Sequence, residues 1–189
     1  MKREQIEIIP YQKDWQKQFL KAKDDIHRVL GSICLCIEHI GSTSVFGLAS
    51  KNRIDIQVGV QEISLEVCHT LNLLLNKNGF QKAYLSCDHL PPNEVNEQDW
   101  VKIYLRGLHA QWDFRANIHF RKVGAKNFNY ALLFRDYLQS HPESAIAYAR
   151  AKEALAKHTR DDRDAYCEMK DPICDLIMIN ANNWIESQM

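Results

Sequence analysis

The chain has 189 residues, carries 24 Lys and Arg against 24 Asp and Glu, and is 46% apolar. That length fits one domain able to bury its own core, and the composition excludes a disordered or fibrous chain. Zero formal charge argues against a broad footprint for duplex nucleic acid, so a polyanion would need a focused site.

The opening Met1-Lys2-Arg3-Glu4-Gln5 leads into a short apolar run without the long apolar stretch of a secretory signal, and no segment is long and apolar enough to span a membrane. Residues 6–9 read as a short strand stopped by Pro10. Asp14 reads as the N-cap of a helix in which Trp15, Phe19, Ile26, Val29 and Leu30 recur at helical spacing up to Gly31. Residues 33–40 are short, β-branched and apolar, a buried strand that runs into a tight turn at Gly41-Ser42. Over 53–60 the pattern alternates, with Ile54, Ile56, Val58 and Val60 on one face and Asp55 and Gln57 on the other. A helix follows over 64–78, ended by Gly79, then a strand over 80–85.

Residues 87–99, with Pro91-Pro92, have loop composition, either a plain connection or a binding loop. Strands over 100–106 and 111–121 form an antiparallel hairpin joined at Gly107. In the second, Trp112, Phe114, Ala116, Ile118 and Phe120 share one face, leaving Gln111, Asp113, Arg115, Asn117, His119 and Arg121 on the other. The remainder is helical: a short amphipathic segment over 131–138, then a helix to about 158 opened by Ser140-His141-Pro142-Glu143 with capping-box spacing. Asp161 caps a last segment in which Asp171-Pro172 forces a kink or a fresh start. The six cysteines form no Cys-x-x-Cys pair and no zinc-like spacing, which suits free thiols in a reducing cytoplasm.

A strand that ends in Gly-Ser and opens a helix turns backbone N–H groups and a hydroxyl towards an anion, so Gly41, Ser42 and Thr43 form a candidate phosphate cradle. Asp55, on the polar face of the next strand, is placed to hold a divalent cation against the same phosphates. Taken alone, a Gly-Ser and a downstream Asp are no stronger a signal than a capped helix.

The wider run Ile37-Glu38-His39-Ile40-Gly41-Ser42-Thr43-Ser44-Val45, with Gly47-Leu48-Ala49, Lys51 and Ile54-Asp55-Ile56, resembles the GrpB family, also called UPF0157. Ile118-His119-Phe120 is similar to that family's His-Leu-His-Val strand. Phe134-Arg135-Asp136-Tyr137-Leu138, Ala147-Tyr148, Lys152 and Asp162-Arg163-Ala165-Tyr166 are similar to its C-terminal helices, and Pro10-Tyr11 and Trp15 to its opening. The resemblance implies one α/β (α+β) domain over 1–189 with a nucleotidyltransferase-like, polymerase-beta-like mixed sheet flanked by helices. Its core would span about 1–125 and its C-terminal helices about 126–189. Because a similar domain is fused to dephospho-coenzyme A kinase in some bacteria, the resemblance also implies a nucleotide or coenzyme A-related phosphate ligand, with Mg or Mn as divalent cation. Whether the chain transfers nucleotidyl groups stays open, as does a homo-oligomer.

Active nucleotidyltransferases carry a second carboxylate two residues after the first, and Gln57 stands there; with a neutral ligand in that place, two-metal chemistry loses a charge. A third carboxylate is expected on a neighbouring strand, and Asp113 is the candidate, which makes Asp55, Asp113 and His119 the expected catalytic set and Asp55 and Asp113 the metal ligands. Asn117 replaces the first histidine of the family's His-x-His, Asn52 a proline, and Phe46 a position where proline is common. Lys51 is expected at the phosphates, and Asn117, Arg135, Tyr148 and Lys152 as further ligand contacts, each weighed against plain packing or an ion pair. The competing readings are a non-catalytic nucleotide-binding or regulatory domain with a degenerate metal site and, lower, a phosphohydrolase using His119.

Overall fold

The structure is a computed structural model that describes residues 5–107 and 109–188; the Met1 to Glu4 opening and Leu108, beside the Gly107 junction, lie outside the described residues. Five strands form one mixed sheet: β1 (Cys36–Ile40), β2 (Ile54–Val60), β3 (Tyr84–Cys87), β4 (Val101–Gly107) and β5 (Ala116–Lys122), in the order β1-β2-β5-β4-β3. The central pair, β2 and β5, runs parallel, with Asp55 opposite Asn117 and Gln57 opposite His119. The other neighbours are antiparallel.

The alternation in β2 decides how the sheet is sandwiched. Ile54, Ile56 and Val58 are fully buried with Ile103, Ile118 and Phe120 beneath α1 (Asp14–Leu30) and α2 (Leu65–Lys77), which contribute Trp15, Phe19, Ile26, Leu71 and Leu75 to the core. At about 25 cal/mol per Å² of apolar area removed from water, burial of this layer is the main driving force of the fold. The opposite face of β2, β5 and β4 carries the polar residues. It is roofed by α3 (Lys126–Ser140), α4 (Pro142–Thr159) and α5 (Arg163–Glu186), which form a second apolar cluster with Val45 and Leu48. This is the expected α/β mixed sheet flanked by helices, and among the described residues no helix is long and apolar enough to cross a membrane.

Several local expectations are corrected. The stretch 6–9 forms no strand; Ile9 makes a single bridge to Ser50. Asp14 is the first helical residue and makes no cap, whereas Ser64 does cap α2 by accepting from the Val67 N–H. The strand expected from 111 begins at Ala116, because Trp112 and Phe114 are buried from a loop and prolong the apolar alternation past the strand's edge. His141, not Ser140, precedes α4, without a side-chain cap. Asp162, not Asp161, caps α5, which runs through Pro172.

Candidate functional site

Between the polar face of the sheet and α4 and α5 lies a cleft of about 890 Å³. Among the described residues, nine Lys and Arg but five Asp and Glu line it, so a neutral chain presents a positive cavity, the focused anion site that the overall charge balance left open.

Asp55 stands at its centre on β2. Its Oδ1 accepts from Asn117 Nδ2 at 2.7 Å, and Asn117 Oδ1 accepts from the Tyr104 hydroxyl at 2.8 Å, so β4, β5 and β2 are joined by one chain of hydrogen bonds. His119 Nε2 is 3.6 Å from the same Oδ1. Burial opposes the Asp55 charge, yet the His119 imidazole and the Asn117 amide more than offset it and hold the carboxyl below its ordinary value. His119 behaves in the opposite sense: burial, reinforced by the Lys102 ammonium, lowers its pKa to about 4. It is therefore neutral at pH 7 and does not act there as a phosphate-binding cation, and its Nδ1 is buried without a partner among the described residues.

The Gly41-Ser42-Thr43 turn sits against this carboxylate. Gly41 has φ 69° and ψ −170°, a conformation essentially confined to glycine, and a Cβ there would lie 2.7 Å from Asp55 Oδ2. The close approach that demands glycine is thus to Asp55. The turn opens only a three-residue 3₁₀ segment, Ser42–Ser44, in place of the expected helix. Ser42 faces the cleft, but Thr43 is buried, with its Oγ1 3.0 Å from His39 Nε2, and drops out of the phosphate set.

Lys51 and Lys152 do line the cleft. The Lys51 ammonium lies 3.7 Å from the centroid of the Tyr166 ring, and burial lowers its pKa to about 8. Lys152 sits 4.6 Å from the Tyr148 ring, donates to Ala49 O, and is lowered by burial to about 7. Tyr148 itself is packed edge-on against Phe134, with its hydroxyl 3.5 Å from Cys174 Sγ, so its ring belongs to the core at the cleft's edge. Arg135 does not reach this cleft: Nη1 donates to Glu38 Oε2 at 2.9 Å and to His39 O at 3.1 Å, clamping α3 to β1.

Asp113 lies in the exposed bend ahead of β5, at the cleft's rim and not on the strand face. The strand beside Asp55 and Gln57 offers Asn117 and His119, so the expected third carboxylate is not on it. Gln57 is fully buried and doubly engaged: Oε1 accepts from Arg121 Nη1 at 2.6 Å and Nε2 donates to Phe128 O at 3.2 Å. Sequence reasoning missed Asp88, in the loop after β3. It accepts from Arg121 Nε at 2.9 Å and from Asn127 at 3.1 Å and pairs with Lys102. Burial would raise its pKa, but Arg121 and Lys102 hold it far below the carboxylate range. No local signal marks Asp88, whereas the alternation of Lys102, Tyr104 and Arg106 along β4 would have put all three on the polar face.

Residues 5–179 match the GrpB protein family. The chain belongs to the GrpB family. A UPF0157 protein, BH1888, from Halalkalibacterium halodurans is 30% identical over 94% of this chain and 83% of its own length. A GrpB protein from Enterococcus faecalis, solved as a crystal structure, has 28% identity and a TM-score of 0.73, covering 94% of this chain and 99% of that one. A dephospho-CoA kinase of Mycolicibacterium paratuberculosis is 26% identical over 96% of this chain, which spans 47% of that longer protein.

Proposed function

We propose that the cleft binds a nucleotide or a coenzyme A-related phosphate ligand, with one divalent cation joining its phosphates to Asp55, and that it lacks the second metal position of nucleotidyl transfer. The observation that carries this reading is the contrast between neighbouring polar positions on β2. Asp55 faces a positively lined cleft, while Gln57 is locked between Arg121 and the Phe128 carbonyl. A metal at Gln57 would have to displace a guanidinium, and a cation there repels the incoming ion.

One carboxylate is enough for a ligand-completed Mg²⁺ site, since Mg²⁺ keeps several waters and takes one or two carboxylates together with substrate phosphates. Among the described residues no three His, Cys, Asp or Glu side chains converge as a metal cage, so ligand and water would complete the shell. The cation supplies charge neutralisation between Asp55 and the phosphates. Ser42 offers a hydroxyl, and Lys51 and Lys152 offer ammonium groups whose protonated form, weakened by burial, an arriving anion favours. Tyr104 and Asn117 fix the Asp55 carboxylate. The dephospho-CoA kinase relative supports a nucleotide-like ligand, and names no reaction for this chain.

Thermal denaturation with nucleoside triphosphates, dephospho-coenzyme A and coenzyme A, each with and without Mg²⁺ or Mn²⁺, tests this reading. A ligand at a hundred times its Kd stabilises by about 2.7 kcal/mol, a midpoint shift of roughly 5–10 °C for a chain of this size. The metal-dependent part should vanish in Asp55→Asn. No shift with any phosphate compound would sink the proposal, and steady pyrophosphate release from a triphosphate would restore nucleotidyl transfer in its place.

A further inference from the structure

The polar face of the sheet is closed at one end and open at the other. Beyond Gln57 it is shut by Asp88, Arg121 and α3. At the opposite end, where β2 and β5 begin and β4 finishes, three arginines form a cluster around Asn117. Arg53 and Arg115 directly precede the paired residues Ile54 and Ala116, and the Ile54 N–H donates to Arg115 O at 3.0 Å. Arg106 pairs with Asn117. Strand alternation puts all three on the same face as Asp55 and Asn117, and all three line the cleft. Arg53 and Arg115, on adjacent strands about 4.8 Å apart, lie two residues or about 7 Å along the strand from Asp55, whereas Arg106 is level with Asp55 two strands, about 10 Å, across the sheet. Burial and the nearby Arg106 guanidinium both lower the Arg53 pKa, which marks the two cations as close neighbours.

Phosphates held by Ser42, Lys51 and Lys152 lie on the α4 and α5 side of Asp55, where Lys51 meets Tyr166 and Lys152 meets Tyr148. A contiguous 5′-polyphosphate seated there leaves the arginine cluster uncovered. Guanidinium groups with planar paired donors suit a second phosphate better than they suit a neutral base. The geometry points to a second anion subsite at Arg53, Arg106 and Arg115, so that the favoured ligand is a nucleotide with phosphates at two separate positions. None of the three is without a partner in the free protein, so the incoming phosphate shares or displaces existing contacts. This inference rests on the nucleotide-binding reading above.

The test compares two isomeric probes with two phosphates each, adenosine 3′,5′-bisphosphate and adenosine 5′-diphosphate, titrated calorimetrically with Mg²⁺ present. The bisphosphate should bind at least about tenfold more tightly, a gap set by one more charged contact. Arg106→Gln and the exposed Arg115→Gln should each reduce that preference to within about twofold while 5′-diphosphate affinity holds, and the Arg115 change carries little risk to folding. Equal affinities in the unaltered protein, or a preference that survives both substitutions, overturns the second subsite and leaves the first reading standing. Binding of neither probe overturns both.

Discussion

The two ends of the polar face hold similar residues in opposite circumstances. At the closed end Asp88, Arg121, Lys102 and Gln57 satisfy one another, and at the open end Asp55 sits among cations that outnumber the acids lining the cleft. A buried charge with a full set of internal partners is part of the scaffold. An excess of one sign facing a cavity describes a ligand that must bring the other.

Breaking the closed end should have the largest effect. Asp88→Ala leaves the buried Lys102 and Arg121 without the carboxylate they share, which costs about 3–5 kcal/mol in chemical denaturation. An equal loss of stability from Arg115→Ala, at the open end, would erase the distinction. Next comes pH. His39 and His119 are both lowered to about 4 by burial, so both are neutral in the folded chain where the unfolded chain takes up protons. Their contribution is complete above about pH 6.5 and is lost as pH falls towards 4. The slope should approach about 1.4 kcal/mol per pH unit for each histidine. His119→Gln should remove one proton from the uptake on unfolding, and an unchanged slope would contradict the neutral imidazole.

Gly41→Ala sharpens the picture at the turn. The strained φ and the clash with Asp55 Oδ2 should destabilise by about 2–3 kcal/mol and remove metal-dependent ligand binding together. Loss of stability with ligand binding intact would separate the turn from the carboxylate. The smallest expected change has the other sign. Lys152→Met relieves a buried ammonium and should stabilise the ligand-free protein by about 1 kcal/mol at pH 7, while weakening phosphate binding. A destabilised Lys152→Met protein would mean that the bond to Ala49 O outweighs desolvation.

Strand β2 was legible because every second residue is Ile or Val, and the same alternation placed Asn117 and His119 on a polar face. The turn at Gly41 and its neighbour Asp55 were legible too, though the reason for the glycine was not, since the Cβ clash lies across strands. What escaped depends on contacts far along the chain. Asp88 looks like an ordinary loop acid until Arg121 arrives, 33 residues away, and Arg135 meets Glu38 across 97. Thr43 reads with Ser42 as part of the phosphate cradle because nothing local announces that its hydroxyl is buried against His39. Asp113 was misplaced because Trp112 and Phe114 imitate strand alternation from a loop.

The Asp55 carboxylate is held at Oδ1 by the Asn117 amide, while at Gly41 the space beside Oδ2 is kept free of the Cβ that would fill it. That bond restricts the carboxylate's rotation when the chain folds, so an arriving cation finds Asp55 partly oriented and less side-chain freedom is lost in binding. Selectivity then rests on how well an ion's preferred bond directions match a partly fixed group, and a cation that demands regular octahedral geometry is discriminated more sharply than one that tolerates irregular shells.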